Sequence, residues 1–322
     1  MKAVVYERYG SPDVLELREL AMPSPAPDEV LIRVRAAALN PLDWHFVRGT
    51  PYAGRAALGI RKPRNPRLGV DVAGIVERVG ASVGEFQPGD AVFGAARGAL
   101  SEFVCASASR LASKPEKLTF EQAAAVPVAG FTALQGLRDK GRIRAGQRLL
   151  INGASGGVGT FAVQIAKAFD AHVTAVCSAR NVDLVQSIGA DRVIDYTTRD
   201  FTTGDARYDL IFDCIGNHDL TKLRRVLQPD GTYVIAGGPD GRWLGPIVPL
   251  CKVAAAAPFV RQRLVVFLAR QKKEDLVLLR DLLASETIKP VVDRVYPFVQ
   301  SADALRYLET GHARGKVVVR VA

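Results

Sequence analysis

The chain has 322 residues, with 43 Lys and Arg against 33 Asp and Glu, a formal net charge of +10, and 48% apolar against 24% charged residues. This balance excludes a disordered chain, and the length suits about two domains that each bury a core. Cys105, Cys177, Cys214 and Cys251 stand tens of residues apart with no Cys-x-x-Cys pair, which excludes a disulfide-stapled miniprotein and points to a reducing compartment.

The opening Met1-Lys2-Ala3-Val4-Val5-Tyr6 has neither the charged leader and apolar core of a signal peptide nor an Arg/Ser-rich transit segment, so a cytoplasmic location is expected. Short strands are predicted at 3–6, 29–35 and 74–80, where apolar and charged residues alternate as on half-buried antiparallel sheets. Between the last two, Arg55, Arg61, Lys62, Arg64 and Arg67 cluster in a Gly-, Ala- and Pro-rich stretch that reads as a long loop. Such a loop either borders a site for an anionic ligand or is a mobile solvent-facing segment. The other basic residues are spread along the chain without a nucleic-acid-binding motif, so no nucleic-acid partner is expected. Turn chemistry over 83–90 leads into a further strand, and residues 1–120 read as a compact β domain.

Beyond residue 120 the period changes. A helix is predicted over 121–138 and a fully buried strand over 148–152, followed by helices at 158–169, 182–188 and 220–227. Between them run strands at 172–177, 192–196, 208–214 and 232–237. Strands separated by helices imply right-handed crossovers and a doubly wound parallel sheet, an α/β domain over 121–287. Residues 243–269 are the most apolar part, yet Lys252, Arg261, Arg263 and three prolines interrupt them. No uncharged run reaches the roughly 20 residues that a bilayer demands, so a subunit interface or pocket mouth is expected, with at most weak membrane-surface contact. Short β segments at 291–292, 296–298 and 316–319 are expected to carry residues 288–322 back to the first domain.

Directly after the 148–152 strand stands Gly153-Ala154-Ser155-Gly156-Gly157-Val158-Gly159, an A-x-G-x-x-G variant of the dinucleotide fingerprint with a further glycine in front. Gly156 lets the backbone approach a pyrophosphate, Gly159 allows close helix-to-strand packing, and the helix N-terminus offers unpaired N–H groups to anionic oxygens. An NAD site places an acid about 20 residues on, to bind the ribose 2′-hydroxyl. That place holds Ser178-Ala179-Arg180, where a hydroxyl and a guanidinium suit a 2′-phosphate, so NADPH is the expected cofactor.

Four stretches in register carry a resemblance over essentially the whole chain: 38–43, 68–74, 86–94 and the 153–159 turn. They resemble the medium-chain dehydrogenase/reductase superfamily, in its zinc-independent NADPH quinone oxidoreductase branch, and 170–178 and 311–316 look like the mitochondrial reticulon-interacting oxidoreductase subgroup. The resemblance implies a GroES-like substrate domain (1–120 and 288–322) joined to a Rossmann domain (121–287). Zinc-dependent members hold their metal at positions that match Asn40, Val70, Asp71 and the Ala129-Gly130 neighbourhood here, a set that cannot hold zinc, so no metal is expected. By the same carry-over, Ser155, Gly156, Gly157 and Val158 line the pyrophosphate, Ser178 and Arg180 meet the 2′-phosphate, and Tyr196 stands beside the adenosine. Cys214 and Ile215 approach the ribose, Ala236, Gly237, Val266 and Phe267 flank the nicotinamide, and His312, Ala313 and Arg314 close the pocket. A homodimer joined along an edge strand near 263–268 is implied too.

Without zinc an ordinary alcohol has no route to an activated alkoxide, so the acceptor must be activated already: a quinone, or an alkene conjugated to a carbonyl. The expected activity is hydride transfer from NADPH to a quinone or similar acceptor. An enone or enoyl-thioester reductase, with the 55–67 basic cluster holding a phosphorylated carrier, is the first alternative. A non-catalytic NADPH-binding interaction protein is the second. Asn40 is expected to face the substrate as a donor or else to cap a turn, His45 and Tyr52 are further proton sources, and Asp43 is expected to anchor its loop through backbone N–H groups.

Overall fold

The computed structural model describes residues 1–237 and 247–322, the main chain alone for 247–250. The expected apolar stretch at 243–246 lies outside the described residues. The chain forms two compact units, Met1–Phe131 with Arg270–Ala322, and Thr132–Ala269. These divisions fall later at the first boundary and earlier at the second than the expected 120 and 288. The reason is that helix Phe120–Ala124 packs on strands of the first unit, and helix Lys273–Ala284 does the same.

The strands, in chain order, are β1 (Lys2–Val5), β2 (Glu16–Glu19), β3 (Glu29–Leu39), β4 (Asp71–Val79), β5 (Ala91–Ala95), β6 (Phe103–Ser107) and β7 (Leu111–Ser113), all in the first unit. Then come β8 (Arg148–Asn152), β9 (His172–Cys177), β10 (Arg192–Asp195), β11 (Tyr208–Asp213), β12 (Leu227–Ile235) and β13 (Arg263–Val266) in the second. β14 (Val292–Pro297) and β15 (Lys316–Arg320) return to the first. Its main sheet runs β14-β15-β3-β4-β5-β7, with β6 also on β3. Val30, Leu31 and Ile32 are buried in succession because β3 is central, and the predicted alternation survives only from Ile32 to Arg35.

The sheet of the second unit runs β10-β9-β8-β11-β12-β13, every pair parallel. The order reverses between β8 and β11, the switch point where such sheets bind ligands beyond the strands' carboxyl ends. Leu149, Leu150 and Ile151 are fully buried, as a strand covered on both faces requires.

Two expectations change locally. The helix predicted over 121–138 is divided into Phe120–Ala124 and Pro127–Gln135, because Pro127 has no N–H to continue the first ladder, and it ends in a π-helical turn, Gly136–Gly141. Residues 41–48, expected as loop, form a helix, Pro41–Arg48. Among the described residues no helix is long and apolar enough to cross a membrane.

Candidate active site

The glycine turn of the second unit has the geometry a pyrophosphate needs. β8 ends at Asn152, Gly153 takes φ 82°, and helix Gly157–Ala168 starts from an extended Gly156. A Cβ on Gly159 would lie 2.2 Å from Gly153 O, so this glycine is required by the turn itself. A Cβ on Gly156 would meet nothing closer than Gly153 O at 3.5 Å, so the space before it is open. The unpaired N–H groups of the helix's first turn face that space, which fits the phosphates of a dinucleotide.

Around the turn, polar side chains tie together some of the residues expected at the cofactor. Asn181 Nδ2 donates to Ser155 Oγ at 2.9 Å and to Ser178 Oγ at 3.2 Å, tying the glycine turn to the end of β9. Arg180 is exposed beside them, and Tyr196, 55% exposed, follows β10 with its N–H on Cys177 O. Asp213, buried at the end of β11, accepts from Asn152 Nδ2, from the N–H groups of Ile215 and Gly216, and from Tyr233 Oη, all at 2.8–2.9 Å. That carboxylate shapes the Cys214-Ile215-Gly216 turn. Burial and the charge of Asp213 hold the Cys214 thiol protonated. Ala236 N–H bonds Asp213 O, and Gly237 lies so close to Cys214 O that a Cβ would come within 1.9 Å. Val266 ends the edge strand β13, and Phe267 packs near Gly136. His312, Ala313 and Arg314 belong to the other unit, where Arg314 N–H bonds Asp293 and Ala313 packs on the core.

The first unit holds a buried charged network. Lys316, 3% exposed at the head of β15, donates through Nζ to Asn40 Oδ1 at 2.6 Å and to Asp71 Oδ2 at 3.1 Å. Asn40 Nδ2 donates to Asp71 Oδ2 at 2.9 Å, and Val128 N–H to Asp71 Oδ1 at 3.0 Å. Each polar group thereby finds the partner that burial demands. Asn40 also caps helix Pro41–Arg48: its N–H bonds Asp43 Oδ2 at 2.7 Å, the anchoring expected of Asp43. Asp43 is fully buried, its Oδ1 has no hydrogen-bond partner among the described residues, and burial, with the charge of Asp71, raises its carboxyl to about 7.

Asn40 is 4% exposed, with its Oδ1 engaged by Lys316 and its Nδ2 by Asp71, an arrangement that agrees with the turn-capping alternative of the two expected for it. His45 stacks on Trp44 with ring centroids 3.6 Å apart and stands 3.4 Å from Thr50 Oγ1, and Tyr52 lies under the Arg55 guanidinium at 4.6 Å. Arg55 also covers Tyr9 and donates to Gly49 O. Among the described residues no three His, Cys, Asp or Glu side chains are grouped to hold a metal.

Family models for an alcohol dehydrogenase GroES-like domain and for a zinc-binding dehydrogenase match residues 26–117 and 188–319. The chain is 35% identical to the mitochondrial NAD(P)H oxidoreductase RTN4IP1 of Bos taurus, over all of this chain and 89% of that one. It is 33% identical to the chloroplast envelope quinone oxidoreductase homolog of Arabidopsis thaliana (99% and 98%), and 36% to that plant's NADPH-dependent alkenal/one oxidoreductase (99% and 79%). Among solved structures, Escherichia coli quinone oxidoreductase complexed with NADPH superposes with a TM-score of 0.84 at 26% identity, over the full length of both.

The chain belongs to the medium-chain dehydrogenase/reductase superfamily. It is an oxidoreductase of the quinone-oxidoreductase-like branch that uses a nicotinamide cofactor, which sets aside the non-catalytic alternative. Within this dehydrogenase/reductase, sequence reasoning missed Asp213, Asn152 and Asn181 around the cofactor turn, and Lys316 and Asp71 as a pair. A signal for the charged ones was present. Lys316 heads the run Val317-Val318-Val319, and Asp213 closes Leu210-Ile211-Phe212, and a charge inside a buried apolar run must be paired.

Proposed function

We propose that the enzyme transfers hydride from NADPH to a quinone or a similarly activated carbonyl acceptor, without a metal ion. The observation that carries the metal-free reading is the Lys316 ammonium, bonded to Asn40 and Asp71. Two positions that match zinc ligands in metal-dependent members are thus tied to a buried cation of the protein's own. A metal there would meet the repulsion of that ammonium.

NADPH over NADH is supported by Ser178 and Arg180 at the end of β9, where the sequence has no acid for a 2′-hydroxyl. When bound, the reduced nicotinamide supplies the hydride. The residues of this chain hold the rest: the 153–157 turn the pyrophosphate, Arg180 and Ser178 the 2′-phosphate, and the Asp213-anchored turn the ribose side. The reduced acceptor takes its hydrogen bond or proton from Asn40, His45, Tyr52 or water. Among the described residues β13 is an edge strand with Phe259 and Leu268 exposed near it, which supports a homodimer joined along that edge.

Reduction of conjugated enones is the second reading, favoured by the alkenal/one oxidoreductase relative. Steady-state oxidation of NADPH with matched series of para-quinones and enones separates the two. The account expects kcat/KM to be higher for the quinones, and a reversed order assigns the enzyme to enones.

A further inference from the structure

A cavity of about 440 Å3 opens in the first unit, of the size that small-molecule sites occupy. Asp43 and Phe46, one helical turn apart on helix Pro41–Arg48, form part of its wall, and Arg64, Arg67, Arg97 and Arg110 form another part. The four arginines come from three stretches of chain, around 64–67, 97 and 110, and the fold brings them to one opening. None of them is paired with a carboxylate among the described residues, and Arg64 spends one N–H on Ala57 O. Elsewhere in the same unit Arg18, Arg33, Arg48, Arg306 and Arg320 each have an Asp or Glu partner. Asp43 is the one acid in the cavity wall, against four arginines.

Unpaired guanidiniums around a concavity create a focused positive potential, and their forked donors match phosphate oxygens two at a time. A single carboxylate would leave most of these donors unused, whereas a phosphate group engages several.

We propose that this cavity binds a phosphate-class, multiply charged group carried by the acceptor that the enzyme reduces. The proposal rests on the acceptor-reducing function above and narrows its substrate class to acceptors with a phosphorylated tail.

The test compares two acceptors with one reducible end: crotonyl-coenzyme A, with phosphates, and the crotonyl thioester of N-acetylcysteamine, without them. With NADPH saturating, KM for the coenzyme A ester is expected to be lower by about tenfold or more. Arg97→Gln and Arg110→Gln, both at exposed positions, are expected to raise that KM about tenfold and leave the uncharged ester unchanged. Equal KM values for the two esters, or equal effects of the variants on both, overturn the proposal. If a neutral quinone oxidises NADPH while both esters show no charge preference, this inference fails and the function above stands. If no acceptor oxidises NADPH, that function fails, and calorimetric titration of coenzyme A and of pyrophosphate into the NADP+-saturated protein decides the site alone. Binding that Arg97→Gln weakens supports an anion site, and absent or unchanged binding overturns it. Equal affinity for pyrophosphate and coenzyme A, without a KM preference, assigns the cavity to free phosphates and overturns the acceptor assignment.

Discussion

Lys316 Nζ stands 2.6 Å from Asn40 Oδ1 and 3.1 Å from Asp71 Oδ2, in a site where Lys316 and Asp71 are 3% and 0% exposed. The bridge joins the head of β15 to the end of β3 and the start of β4, so it fixes the register of three strands as well as the base of helix Pro41–Arg48. Removing one partner strands the other charge in the core. Lys316→Met is therefore expected to destabilise the first unit by about 3–5 kcal/mol, and Lys316→Met with Asp71→Asn to recover part of that loss. Denaturant unfolding of the single and double variants measures it. An additive double variant contradicts a direct pairing.

Asp43 gives a pH dependence of definite sign. Its folded-state carboxyl is raised to about 7 by burial, above the ordinary carboxylate value, so the folded protein holds this proton more tightly than the unfolded chain. The stabilisation is full below the unfolded pKa, about pH 4, and is lost as pH rises through 7. Asp43→Asn keeps an acceptor for the Asn40 N–H and removes the titration. Thermal unfolding between pH 4.5 and about 8 is expected to show a decline for the wild type that is shallower in the variant. Parallel profiles contradict it.

Two glycines of one turn separate shape from binding. Gly156→Ala adds a methyl to open space at an ordinary φ of −81°, so stability is expected to change by no more than about 0.5 kcal/mol while NADPH affinity falls about tenfold or more. Gly159→Ala would place its methyl against Gly153 O and is expected to lower stability and affinity together. Thermal melts and fluorescence titration with NADPH on both variants distinguish them.

Arg180→Ala addresses cofactor choice. Loss of a charge-assisted contact to a 2′-phosphate is expected to weaken NADPH about 10- to 100-fold and to leave NADH within about twofold. Equal losses for both cofactors contradict the assignment of Arg180 and Ser178.

Five strands of the parallel sheet were legible as short apolar runs, whereas β13 was implied only by the resemblance, and the glycine turn was legible because Gly153 to Gly159 are contiguous. Helix Pro41–Arg48 was not, although an Asn cap, a proline in the first position and an acid at the third are its start signals. Eight residues offer too little periodicity to outweigh the expectation of a loop. The need to pair Lys316 could be read from the chain, but the identity of its partners could not. Asn40 lies 31 residues from Asp71, and Lys316 lies 245 residues beyond that, so only strand pairing brings them together. The arginine cavity was half visible: Arg64 and Arg67 stood in the basic cluster, while Arg97 and Arg110 reach it through the turns after β5 and β6.

The most direct test of the account is the disappearance of the reduced-nicotinamide absorbance when the purified protein, dialysed against a chelator and assayed for metal content, meets NADPH and a para-quinone. The account predicts quinone-dependent NADPH oxidation at an undiminished rate in metal-free protein, with NADH a poorer donor. Activity that disappears with the chelator and returns with zinc would contradict it.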